Sequence, residues 1–217
     1  MGRHVEPGRA LAALTAETFF YSVSVALYVI ASAGAMLAAF TLPDSVRWMG
    51  WIALGAMGLV VSGAVWLGWQ RPAVASALLG RIPSARVRAL LDRVRTFEAN
   101  AYGATGTGTS RVRTVVLCDV LFHALSFVES WFTFWLLTGV TALLPALVFD
   151  GFNRVVNILF KWVPMRLGVE EGGTAILAKA IGYPSESGFV LGVVRKIRVI
   201  VWAIVGVVIL MWMRKKR

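Results

Sequence analysis

The sequence has few of the residues on which catalysis, metal binding and disulfide chemistry depend. Only 15% of its 217 residues are charged, two are histidines and one is a cysteine. Because Cys118 stands alone, an intrachain disulfide is excluded, and with His4 and His123 it makes too small a set for a thiolate or imidazole metal cluster. No nucleophile with a positioned base is evident either. We therefore predict a protein that is not an enzyme and that carries no cofactor.

Acidic residues are also scarce, with 11 against 22 lysines and arginines, which gives a formal charge of +11. The chain is 58% apolar, a composition typical of polytopic membrane proteins. Its basic residues lie between and after apolar runs of membrane-spanning length, which favours contact with lipid headgroups over binding to a phosphate backbone. We expect a single transmembrane domain over residues 1–217, located in the cell membrane, and no nucleic acid partner.

The first two apolar runs predict a helical hairpin over residues 17–70. No charged residue occurs between Thr18 and Pro43, which is too long for the apolar part of a signal peptide and long enough to span a bilayer. Pro43 ends this run, and a second run follows from Trp48 to Gln70 after a very short link. Two adjacent antiparallel membrane helices are the simplest interpretation.

Residues 71–113 form a strongly basic segment, which the positive-inside rule assigns to the cytoplasm. Within it an apolar stripe recurs at spacings of three and four residues, as in an amphipathic helix. The stripe consists of Val87, Leu90, Leu91, Val94 and Phe97. Two interpretations use the same stripe: a helix lying on the membrane surface, and a helix packed on the cytoplasmic ends of the spans.

The third and fourth apolar runs carry ionisable residues at membrane depth. Residues 114–139 predict a third span with Glu129 at its middle, and we expect this side chain to face a polar cavity or to be protonated. Residues 140–160 predict a fourth membrane helix, and its polar residues fall at spacings of three and four along one face. They are Asp150, Asn153, Arg154 and Asn157. Asp150 and Arg154 are spaced for an ion pair within that helix. Asp119, His123 and Glu129 leave intramembrane acid–base chemistry open.

The stretch from Trp162 to Val199 interrupts the apolar sequence with glycine, proline and charge. Its ionisable residues include Glu170, Glu171, Arg195, Lys196 and Arg198. Broken backbone and charge at membrane depth are tolerated only where they line a cavity or are buried in protein. We predict a re-entrant segment over residues 164–186 inside a functional bundle over residues 114–213. The predicted fold is therefore all-α, a polytopic bundle of about five to six membrane helices.

Part of this stretch resembles a known family. The residues PMRLGVEEG at 164–172, followed by Gly182 and Arg195, resemble the PxxLGVxEG…G…R signature of flippase-like membrane proteins related to the lysylphosphatidylglycerol synthase transmembrane region. Glu129 resembles the mid-membrane glutamate of that family's helix pattern. The resemblance extends over most of the chain, is specific from residue 129 to residue 198, and is to an N-terminally short member.

The resemblance implies that the protein moves or binds an amphipathic lipid. Its partners would be membrane lipids, namely an anionic or aminoacylated phospholipid or an isoprenoid lipid, with a second copy or a partner membrane protein left open. The expected headgroup site consists of Glu129, Arg154, Glu170, Glu171, Arg195 and Arg198. Mutual neutralisation of Glu171 and Arg195 within the bundle is the structural alternative. The alternative function is a non-transporting scaffold that holds a glycosyltransferase or a lipid-modifying enzyme at the bilayer.

Overall fold

A computed structural model describes residues 7–70, 109–163, 166 and 168–215, and every regular element in this part of the chain is an α-helix. The helices are α1 (Pro7–Ala39), α2 (Asp44–Gln70), α3 (Thr109–Thr138), α4 (Leu143–Leu159), α5 (Val169–Ala180) and α6 (Ser185–Lys215). The all-α fold class predicted from the sequence is confirmed.

Three of these helices are long and apolar enough to cross a membrane. The candidate spans are Glu17–Ala39 in α1, Asp44–Trp66 in α2 and Arg113–Thr138 in α3. They correspond to the first three spans predicted from the sequence. The amphipathic stripe at residues 87–97 lies outside the described residues, so its two interpretations stay predictions.

In the second half of the chain the helices have different bounds from those predicted from the sequence. Helix α4 has 17 residues and begins at Leu143, because Gly139 takes a positive φ of 70° that ends α3 and starts a link. Helix α5 has only 12 residues, whereas α6 runs unbroken for 31 residues through Arg195 and Arg198. Five to six membrane helices are therefore not confirmed. Within the predicted re-entrant segment, residues 164, 165 and 167 lie outside the described residues.

The chain forms two compact units, of which the first comprises residues 1–28 and 55–124. In this unit His123 is buried, and its Nε2 lies 3.0 Å from the hydroxyl oxygen of Ser24. The ring of Tyr28 stacks on the imidazole with a centroid separation of 5.1 Å. His123 thus contributes to packing between α1 and α3 in this unit.

The second unit comprises residues 29–54 and 125–217, and it contains the main hydrophobic cluster. Phe134 and Phe149 are fully buried at its centre, with ring centroids 5.4 Å apart. The links that follow α1, α3 and α5 all contribute side chains that pack against this cluster, namely Phe40, Leu42, Ala142 and Tyr183. These three links therefore lie at the same end of the unit.

Glycines bring α5 and α6 unusually close together. A Cβ added to Gly188 would collide with the carbonyl oxygen of Thr174, and one added to Gly192 would lie 3.0 Å from the Cα of Glu171. The two glycines are four residues apart and so lie on one face of α6. Lys196 lies one further turn along the same face, which places it beside the first turn of α5.

Candidate functional site

Asp150 of α4 lies at the centre of a buried polar cluster in the second unit. Its carboxylate accepts hydrogen bonds from Ser126 (2.8 Å) and Ser130 (3.1 Å) of α3. Arg154, one turn further along α4, donates to the other carboxylate oxygen at 3.0 Å. The two charged side chains are only 2% and 7% exposed, so this ion pair is withdrawn from solvent.

Arg195 of α6 joins the same cluster through the other carboxylate oxygen, the one that accepts from the serines. Its Nη2 donates to the hydroxyl oxygen of Ser130 at 2.8 Å and lies 3.7 Å from the Asp150 carboxylate. Its Nη1 donates to the backbone carbonyl of Phe149 at 3.3 Å. The hydroxyl of Ser130 thus links a carboxylate and a guanidinium, and Arg154 and Arg195 share one aspartate.

Glu171 of α5 forms a second buried ion pair. One carboxylate oxygen accepts the backbone N–H of Gly168 at 2.9 Å and so caps the helix, while the other pairs with the ammonium of Lys196. Gly168 has a φ of 82°, a conformation that glycine adopts without strain. Both carboxylate oxygens of Glu171 are therefore engaged, one by its own helix and one by α6.

A third ion pair joins Glu129 of α3 to Arg198 of α6. It differs from the other two in exposure, because 33% of the Glu129 side chain and 41% of the Arg198 side chain remain accessible. Glu129 directly precedes Ser130, and Arg198 lies one turn beyond Arg195. The more exposed pair is thus adjacent to members of the Asp150 cluster along both α3 and α6.

Unlike Glu129, Asp150 and Glu171, Glu170 is not part of an ion pair in the described part of the chain. It is buried, with 5% of its surface exposed, in the first turn of α5, where the helix dipole favours a negative charge. Among the described residues its carboxylate has no hydrogen bond or ion pair. On α4, the amide oxygens of Asn153 and Asn157 are buried and likewise have no hydrogen-bond partner in the described part of the chain.

Helix α6 supplies a cation to each of the three ion-paired groups, which contain Asp150, Glu171 and Glu129. Arg195 contacts α4, Lys196 pairs with α5 and Arg198 pairs with α3. Each cation has a carboxylate partner on a different helix, because residues 195, 196 and 198 point in different directions around α6. These three pairings fix the rotation of α6 about its own axis relative to α3, α4 and α5.

The predicted site residues all lie in the second unit, and all of them except Glu170 take part in its ion pairs. Arg154 and Arg195 meet at Asp150, whereas Glu171 has Lys196 as its ion-pair partner rather than the Arg195 considered from the sequence. The sequence-based site omitted Asp150, Lys196, Ser126 and Ser130. A signal for the serines exists, because Ser126, Glu129, Ser130 and Thr133 form a polar stripe at helical spacing within an apolar run.

The cluster offers guanidinium and carboxylate groups that can bind charged partners. Among the residues that the structure describes, no group of three or more histidine, cysteine, aspartate or glutamate side chains could hold a metal ion. Guanidinium groups bind phosphate oxygens in a bidentate geometry, and carboxylates accept ammonium donors. Chemically, the arginines of the second unit can bind anions and its carboxylates can bind cations.

Comparison with known proteins adds no relative. No family model, no curated protein and no solved structure matches this chain. The resemblance of residues 164–172 to the flippase-like signature is thus a prediction from the sequence, and the geometry of the charged cluster carries the functional argument.

Proposed function

We propose that this protein is a multi-pass membrane protein that moves or binds an amphipathic lipid by sheltering its headgroup in the charged interior of the second unit. The observation that carries the proposal is the cluster of Asp150, Arg154 and Arg195, three charged residues each at most 6% exposed as whole residues. Ionisable residues inside membrane bundles are costly and mark substrate or ion pathways.

Chain topology supports the membrane assignment. The links after α1, α3 and α5 share one end of the second unit, so successive helices run in opposite directions. The assignment of the basic segment at residues 71–113 and of the C-terminal basic residues to the cytoplasm rests on the positive-inside rule. Helix α6 would also cross, because every residue from Val199 to Met213 is apolar or glycine and is exposed.

The charges lie near the middle of such a bilayer. Arg195 is ten residues after the start of α6, Glu129 is nine before the end of α3 and Glu171 is nine before the end of α5. At a rise of about 1.5 Å per residue each lies roughly 14 to 15 Å from the shared end. The hydrocarbon core is about 30 Å thick. With the shared end at the edge of the hydrocarbon core, three helices bring charge to the same depth, about half of the thickness of that core.

A headgroup at that depth would replace part of the existing ion pairing. Its phosphate would bind Arg195 or Arg198, while Glu129 or Glu171 would accept a donor from the same headgroup, and the acyl chains would stay in the surrounding lipid. The buried amide oxygens of Asn153 and Asn157 offer further acceptors along α4. Residues 164–172 support the same activity through their resemblance to the flippase-like signature.

Lipid movement in proteoliposomes tests the proposal. The purified chain is reconstituted with phospholipids that carry a fluorophore on a short acyl chain, and dithionite bleaching measures transfer between leaflets. We expect transfer by the wild type and its loss in Glu171→Ala and Arg195→Ala. Lys179→Ala and Glu186→Gln serve as matched controls, because both side chains belong to exposed residues of α5 and α6. Equal elution volume and helix content are required of every variant.

An inert wild type would argue against transport. If the variants Glu171→Ala and Arg195→Ala retain the wild-type transfer rate, the charged interior does not carry the headgroup. The scaffold alternative predicts that both substitutions are tolerated and that neutralising the basic residues at 81–95 abolishes function, which an assay of the associated enzyme would measure.

A further inference from the structure

The ion pairs of the second unit differ in how much of their side chains is exposed. The pairs of Asp150 with Arg154 and of Glu171 with Lys196 have side chains between 2% and 11% exposed. The Glu129–Arg198 pair is 33% and 41% exposed at a comparable distance from the end of the unit. The charged interior is therefore closed by protein at the first two pairs and open at the third.

An exposed ion pair that faces hydrocarbon is energetically unfavourable. If the bundle crosses the bilayer as proposed above, Glu129 and Arg198 lie near its middle, where no water or headgroup solvates an exposed charge. The residues flanking them, Val128, Ile197 and Val199, are exposed and apolar, as expected of a surface that faces acyl chains. A polar group that arrives laterally from the membrane would therefore meet this pair first.

We propose that the Glu129–Arg198 pair is the lateral entrance for the headgroup and that it selects lipids carrying both a phosphate and an ammonium group. This inference rests on the proposed lipid function and specifies its substrate class. When a phosphate binds Arg198, Glu129 loses its partner and is left as an uncompensated carboxylate at mid-membrane depth. An ammonium on the same headgroup replaces the lost cation, whereas an anionic headgroup leaves two negative charges beside one arginine.

The geometry then gives a path to the buried cluster. Glu129 adjoins Ser130, whose hydroxyl bridges Asp150 and Arg195, and Arg198 lies one turn from Arg195. A phosphate released by Arg198 therefore has a second guanidinium next to it on the same helix. Transfer between the two arginines keeps the phosphate paired throughout, which avoids an unpaired charge in the membrane interior.

A comparison of two lipids in the reconstituted full chain tests the selection. The probes are acyl-labelled phosphatidylethanolamine and acyl-labelled phosphatidylglycerol, because a label on the amine would remove the ammonium. We expect the wild type to move the ethanolamine lipid about tenfold faster or more, since an uncompensated charge at the bilayer centre is costly. Glu129→Gln removes the carboxylate, so the preference should reverse in favour of the glycerol lipid.

Two further variants complete the design. The charge exchange Glu129→Arg with Arg198→Glu keeps both charges at the entrance and should keep the preference for ethanolamine. The matched control exchanges Asp44 and Arg47, an ion pair one turn apart on α2 whose side chains are 82% and 58% exposed, and should leave both rates unchanged.

The outcomes separate the two proposals. If the wild type moves the glycerol lipid as fast as the ethanolamine lipid or faster, selection by the ion pair is wrong while lipid movement stands. A preference for ethanolamine that survives Glu129→Gln would also overturn the selection. If the wild type moves neither lipid, both proposals fall. The wild-type comparison decides the question even if a variant does not fold.

Discussion

Replacing Asp150 by asparagine should destabilise the protein more than any other single neutralisation of an acid in the second unit. The carboxylate accepts hydrogen bonds from Ser126 and Ser130 and lies beside two guanidinium groups, Arg154 and Arg195. Asparagine keeps the shape and removes the charge, so two buried cations lose their shared counter-ion. Removing one partner of a buried ion pair costs about 3 to 5 kcal/mol, and here two pairs share that partner.

The measurement is the free energy of unfolding in mixed micelles titrated with SDS, followed by far-UV circular dichroism. We expect Asp150→Asn to lower it by about 3 to 5 kcal/mol. Asp44→Asn removes an acid from an exposed pair and should cost at most about 1 kcal/mol. A loss for Asp150→Asn that is no larger than that of Asp44→Asn would refute the reasoning, because it would mean that water already solvates the cluster.

Three further predictions concern packing, pairing and topology. Gly188→Ala should lower the free energy of unfolding by about 1 to 3 kcal/mol, because the added Cβ meets the backbone of Thr174. Gly206→Ala is the control and should change it by less than about 0.5 kcal/mol, because a Cβ there meets nothing within 4 Å. A double-mutant cycle of Glu171→Gln and Lys196→Met should give a coupling of about 1 to 3 kcal/mol, and additive losses would show that the pair does not form. With the exposed Cys118 replaced by serine, a single cysteine in the link between α3 and α4 should react with an impermeant maleimide from the side opposite the basic segment. Labelling from the same side would contradict the alternating topology.

The sequence predicted correctly those helices whose pattern lies within one continuous stretch of the chain. The first three spans are long runs with few charges, so length and hydropathy suffice to place them. The Asp150–Arg154 pair was predictable for the same reason, because a spacing of four residues in one helix fixes the distance between the two side chains.

What depends on contact between helices was not predictable. Glu171 has Lys196 as its partner because glycines at 188 and 192 let α5 approach α6 at that turn. Their GxxxG spacing marks a face of α6 suited to close packing, but it does not identify the helix that packs there. The partial exposure of Glu129 likewise depends on which neighbours cover it. The start of α4 at Leu143 depends on the positive φ of Gly139, a choice that the apolar run from Val140 does not indicate.

The connection of α6 to three other helices has a consequence for synthesis of the chain. Glu129 and Glu171 precede their cationic partners in the sequence, and 69 positions separate Glu129 from Arg198. At about 5 to 20 residues per second, the ribosome delivers that partner roughly 3 to 14 s after the glutamate. During this interval Glu129 has no α6 cation beside it, and Glu171 waits 25 positions for Lys196. The ion pairing of α3 and α5 is therefore complete only when the last helix has been made, so assembly of the second unit waits for the end of synthesis.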